Sequence, residues 1–160
     1  MNPPTLVIGV GNEFRGDDAV GLLAVRDLET WKLPSVQIVE SRGDGARLMR
    51  LWKGIESVIV IDAVRSGSPP GTLHRLDVSH HPLPANFLCT SSHQFGVGEA
   101  IETSRELGDL PPRVVFYGVE IEHCVAGTPA SIYDHIRERL LTALKAELIA
   151  HDPVATASFR

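Results

Sequence analysis

The chain has 160 residues, 43% of them hydrophobic and 22% charged, with a mean hydropathy of +0.03. These are the proportions of a globular domain, not of a disordered, collagen-like or coiled-coil chain. A formal net charge of −5 supplies no basic field for a phosphate backbone, which excludes nucleic acid as a partner, and no run approaches the ~18 apolar residues of a membrane span.

The two cysteines, Cys89 and Cys124, form no CxxC pair. This argues against a disulfide scaffold or a thiolate zinc site and fits a reducing cytosol. The Met1-Asn2-Pro3-Pro4 start has no charged region ahead of an apolar one, so no secretory signal is read and a cytoplasmic location is expected.

Residues 5–10, TLVIGV, are apolar and β-branched and end at glycine, the pattern of a strand buried on both faces. After a glycine-containing loop, Val20, Ala24 and Leu28 recur at four-residue steps and predict a helix over 18–31. The alternation repeats: a strand at 36–40, a short helix at 46–52, and a second buried strand at 57–64. Strands alternating with helices imply parallel pairing through crossovers. Residues 72–78 read as a strand with no helix before it, and the proline-broken stretch after it as an exposed loop. A helix over 94–107, capped by Ser91 or Ser92, a strand over 113–121 and a last helix starting near Pro129 complete the order. The tail after residue 151 reads as frayed. No repeat or linker divides the chain, so one domain over residues 1–160 is expected. Its fold class is a three-layer α/β sandwich, about five mostly parallel strands with helices on both faces. Ligands of such sheets gather beyond the carboxyl ends of the strands, here after Val10, Ile61 and Ile121.

The first loop, Gly9-Val10-Gly11-Asn12-Glu13-Phe14-Arg15-Gly16-Asp17-Asp18, is not a nucleotide loop. Its third glycine arrives two residues late for a dinucleotide fingerprint, and Asp17 and Asp18 stand where a P-loop needs lysine and a hydroxyl. Carboxylates there suit cations or protons. The structural alternative is that one aspartate caps the helix that follows, leaving the other to project over the sheet edge.

Asp62 ends the apolar run 57–61, where an ionised carboxylate is costly unless paired, protonated or bound to a cation. In a 2-1-3 strand order its strand neighbours the first, which brings Asp18 and Asp62 together. Alone, Asp62 is equally readable as a turn aspartate bonding loop amides. His93, at the start of the helix predicted from residue 94, is the imidazole candidate, although a lone histidine there is commonly structural. His80-His81 chelates poorly because strand neighbours point to opposite faces, and Glu122-His123-Cys124 competes from another strand end. Two carboxylates and an imidazole suit a borderline divalent ion such as zinc or nickel. No HExxH helix, G-x-S-x-G elbow or Asp-Thr-Gly loop is present. The residues alone therefore stop at a metal-dependent hydrolase or a metal-binding module.

GVGNEFRGDDAVG at 9–21, VIVIDAV at 58–64, SSHQFGVGEA at 91–100 and YGVEIE at 117–122 together resemble the nickel–iron hydrogenase maturation endopeptidases, which trim the C-terminus of the hydrogenase large subunit. The resemblance implies a phosphorylase/hydrolase-like fold and a metal held by Asp18, Asp62 and His93. It further implies that the metal is nickel carried by the substrate, replaceable by zinc or another divalent ion, and that Asp62 is catalytic, orienting or deprotonating water. The implied partner is the large-subunit precursor, with no nucleic acid, no membrane and a monomeric enzyme. The loop 41–45, Ser-Arg-Gly-Asp-Gly, resembles a segment of the family implicated in substrate handling but departs from its His-Gly-Thr form. Two other readings stay open: a binding or assembly module that cuts nothing, and an aspartic protease in which Asp18 and Asp62 share a proton.

Overall fold

The computed structural model describes residues 4–87, 95–122, 126–127, 130–151 and 158–159. Five strands, β1 (Thr5–Val10), β2 (Val36–Ser41), β3 (Ser57–Val64), β4 (Leu73–Asp77) and β5 (Arg113–Glu120), form one sheet in the order β2-β1-β3-β5-β4. All pairings are parallel except β4 with β5. Chain composition follows position in the sheet. Every residue of β1 is buried, as are all of β3 and β5 beyond their first residues, whereas the edge strands β2 and β4 are half exposed. Apolar runs go where both faces are covered, and mixed sequences go to the edges.

The helices α1 (Val20–Glu29), α2 (Gly45–Trp52), α3 (Val97–Leu107) and α4 (Ser131–His151) cover the two faces in pairs. Val7, Ile59, Ile61, Val115 and Tyr117 turn toward α1 and α4; Leu6, Ile8, Val58, Val60 and Phe116 turn toward α2 and α3. Each pair is also joined by polar bonds. Asp27 of α1 accepts from Tyr133 and from Arg137 Nε (2.7 Å) on α4, and Trp52 Nε1 donates to Ser104 Oγ across α2 and α3 (3.1 Å).

Several expectations are corrected in detail. The first helix is preceded by a 3-10 turn, Gly16–Ala19, and neither the turn nor α1 has a side-chain cap. Asp17 caps another helix instead: its Oδ1 accepts the Ile132 amide of α4 at 2.9 Å. Proximity in sequence suggested its own helix, but in this packing the nearer unpaired amides belong to α4. Helix α3 starts at Val97, with Gly96 as its cap residue and Glu99 Oε2 accepting the Gly96 amide (3.1 Å); Ser91 and Ser92, the expected caps, lie outside the described residues. Part of the stretch predicted as an exposed loop is core, since Leu83 and Phe87 pack beneath β4 and α3. Phe159 in the tail lies edge-on to Trp31, ring centroids 5.2 Å apart.

Candidate functional site

The sheet order reverses between β1 and β3, because the chain leaves β1 toward β2 on one side and leaves β3 toward β5 and β4 on the other. Beyond the carboxyl ends of two such strands a crevice opens. Gly9 of β1 pairs with Ile61 of β3, so Asp62 follows where this ladder ends. Alternation along β3 turns Asp62 to the same face as Val58, Val60 and Val64, the side covered by α2 and α3.

Two glycines let the backbone close around this point. A β-carbon on Gly21 would stand 2.3 Å from the Val10 carbonyl oxygen and 2.4 Å from that of Ile61. One on Gly11 would stand 2.2 Å from the Asp18 carbonyl oxygen. Only bare backbone permits the 3-10 turn and the first turn of α1 to lie directly on the ends of β1 and β3. These close approaches bring Asp18 over the strand ends. The glycines that resemble a nucleotide loop serve packing, and what they carry to the crevice is a carboxylate.

Asp62 is 8% exposed and Asp18 is half-buried. Burial raises the pKa of Asp62 well above the ordinary value of 3.8, and the negative charge of Asp18 raises it further; a hydrogen bond from the Ala63 amide pulls the other way. A carboxyl held so needs a proton or a cation. The donor chemistry fits a divalent ion: two hard carboxylates, one buried, at a concave strand-end site. His93 lies outside the described residues, and so do His123 and Cys124. Among the described residues no three His, Cys, Asp or Glu side chains gather closely enough to hold a metal. Of the predicted trio, the structure thus brings together the two aspartates. His80 and His81 belong to a different region, where the His81 carbonyl accepts from Arg105 at 3.1 Å.

Beside Gly11 a polar cleft of about 210 Å³ opens between the loops after β1 and β2, walled by Asn12, Glu13, Arg26, Glu40, Arg42 and Arg47. Arg26 holds it in shape by pairing with Glu40 (2.5 Å) and Glu13 (3.2 Å).

The YGVEIE motif contains Glu120 without singling it out, although its position carries the same signal as that of Asp62, an acidic residue closing an apolar strand. It is 1% exposed. Its carboxylate accepts from the Ser66 amide (2.7 Å), Ser66 Oγ (2.7 Å), the Gly67 amide (3.0 Å) and His74 Nε2 (3.0 Å). Burial pushes its pKa up, but these hydrogen bonds outweigh burial and the net shift is downward. Glu120 thereby ties down the loop that leaves β3 just after Asp62.

The mostly parallel α/β sheet carries at its switch point the buried Asp62 carboxyl beside the half-buried Asp18, in the crevice where enzymes of this architecture gather their chemistry. A family model for hydrogenase maturation proteases matches residues 23–148. The chain is 31% identical over 150 residues to a HupD hydrogenase expression/formation protein of Thiocapsa roseopersicina, covering 92% of this chain and 67% of that protein. To the hydrogenase 2 maturation protease of Escherichia coli K12 it is 30% identical over 149 residues, covering 88% and 90%. The hydrogenase-maturating endopeptidase HybD of E. coli superposes with a TM-score of 0.76 at 26% identity, covering 92% of this chain and 93% of that one. The chain belongs to the hydrogenase maturation protease family and is a peptidase.

Proposed function

We propose that this endopeptidase removes a C-terminal extension from the precursor of a nickel–iron hydrogenase large subunit, and that it reads the nickel already inserted there. Asp18, Asp62 and His93 engage the substrate's nickel, so the ion arrives with the polypeptide and its presence licenses the cut. Engagement of the ion sets the peptide bond beside Asp62, and positioning of this kind supplies much of the acceleration. Asp62 then orients the attacking water and takes its proton as general base. Zinc or another borderline divalent ion can occupy the same donors. The enzyme acts as a monomer in the cytoplasm; among the described residues no helix is long and apolar enough to cross a membrane.

The observation that supports this reading is the buried Asp62 carboxyl beside the charge of Asp18 at the β1/β3 switch point. The test is a processing assay read by intact-protein mass. Nickel-loaded precursor is expected to lose its extension and nickel-free precursor to stay whole, while Asp18→Ala, Asp62→Ala and His93→Ala each leave the loaded precursor uncut. Retained cleavage by any variant removes that residue from the site. The same carboxylate repulsion favours a second reading, an aspartic dyad sharing one proton. Cleavage that is indifferent to nickel loading and to chelators selects it. A chain that binds the precursor without changing its mass is a binding module.

A further inference from the structure

Three large apolar side chains are notably exposed among the described residues: Phe14 at 64%, Phe95 at 38% and Leu107 at 64%. Leu107 ends α3 at the edge of the sheet away from the carboxylates. Phe95 is committed, because its ring packs so tightly on Gly45 that a β-carbon there would lie 2.3 Å from Phe95 Cδ1. Phe14 alone stands uncommitted at the functional edge, on the loop between β1 and Asp18.

Its exposure is built in rather than incidental. Asn12 Oδ1 accepts the Phe14 amide at 3.0 Å, and the Phe14 carbonyl accepts the Gly127 amide from the loop after β5 at 2.9 Å. The Arg15 amide donates back to the Asn12 carbonyl (3.1 Å), and the neighbouring Glu13 is held by Arg26. With both main-chain groups of Phe14 bonded, the ring is displayed to solvent on a fixed turn. An aromatic ring held this way loses little freedom on binding, which is the character of an interface anchor.

We infer that Phe14 is the apolar anchor by which this chain docks the folded part of its precursor. The inference rests on the function proposed above. It commits to the precursor because of continuity: the loop that displays Phe14 also lines the cleft through Asn12 and Glu13 and leads, four residues on, to Asp18. A polypeptide whose bond reaches Asp62 passes over this loop, and an apolar pocket on its surface receives the ring. Phe14 touches no reacting atom, so its contribution is to binding and not to bond cleavage.

The test uses the full chain with nickel-loaded precursor for steady-state processing and nickel-free precursor for equilibrium binding. Phe14→Ala and Phe14→Ser are expected to raise KM and weaken binding by about 10-fold or more with kcat held within about two-fold, whereas Phe14→Leu recovers most of the affinity. Because the ring is largely exposed and belongs to neither core cluster, the melting temperature of all three variants stays close to the parent value. KM and affinity of Phe14→Ala within about two-fold of the parent overturn the anchor, as does a parent chain that fails to bind precursor at all. A parent chain that binds precursor and cuts neither form refutes the proposed reaction; there, weaker binding by Phe14→Ala still supports the anchor.

Discussion

Gly21 and Ile61 approach so closely that a β-carbon on the former would lie 2.4 Å from the carbonyl oxygen of the latter. This contact locks the start of α1 onto the end of β3, and with it the loop bearing Asp18 onto the strand bearing Asp62. Gly21→Ala inserts one methyl against two backbone carbonyls that cannot rotate away. A loss of about 3 kcal/mol in urea unfolding is expected, together with loss of processing even at temperatures where the variant remains folded. An alanine variant as stable as the parent contradicts the contact.

Asp62 makes stability fall with rising pH. Its folded-state pKa is raised, first by burial and then by Asp18, so the folded chain keeps this proton to higher pH than the unfolded chain. The stability it contributes is complete below the ordinary aspartate value of 3.8 and is lost as pH rises through the folded value. Asp62→Asn is neutral throughout. The variant should unfold at higher urea than the parent near neutral pH, with the gap closing toward about pH 3, while its processing is abolished. Parent stability that gains on the variant as pH rises reverses the assignment.

Glu120 behaves with the opposite sign. Its pKa is lowered because the hydrogen bonds from Ser66, His74 and Gly67 overcome burial. Its contribution is present above the ordinary glutamate value of 4.5 and is lost as pH falls through the lower folded value. Glu120→Ala leaves the Ser66 and Gly67 donors without their acceptor, a cost of about 1–3 kcal/mol. Faster amide exchange at Ser66 and Gly67 than in the parent checks it.

Glu147 provides a control far from the chemistry. It accepts from Arg75 Nε (2.6 Å), Arg113 Nη2 (2.9 Å) and the Tyr117 hydroxyl (3.0 Å), sixteen residues along α4 from the end that Asp17 caps. Removing one partner strands the others, a cost reduced here because the Arg75 side chain is 49% exposed. Glu147→Ala should lose about 2–3 kcal/mol in thermal or urea unfolding yet process precursor at the parent rate well below its melting temperature.

Most of the element order was legible because burial on both sides leaves a direct mark. Residues 5–10 and 57–64 are continuous apolar runs, and both are central strands. The neighbourhood of β1 and β3 followed from alternation and the crossover rule, and Asp62 stood out as a carboxylate closing such a run. Glu120 closes β5 in the same manner, but nothing local distinguishes a carboxylate that ties a loop from one that faces a crevice; the difference is the set of donors brought from Ser66, Gly67 and His74. The cap made by Asp17 was illegible for a similar reason, since its partner amide lies 115 residues away. The start of α3 was displaced because Gly96 and Glu99 supply the cap where the serines upstream carry the stronger local signal.

The order of strands and helices, the two-sided burial of β1, β3 and β5, and the presence of acidic residues at strand ends are properties of local pattern, and the amino-acid sequence alone determines them. Which carboxylate faces which is decided only in three dimensions. Asp18 meets Asp62 because two glycines allow backbone to touch backbone at the switch point, whereas Asp17, one residue earlier, is turned to a helix end from the far side of the chain. Pairings of that kind depend on contacts between residues far apart in sequence, and no periodicity in the chain encodes them.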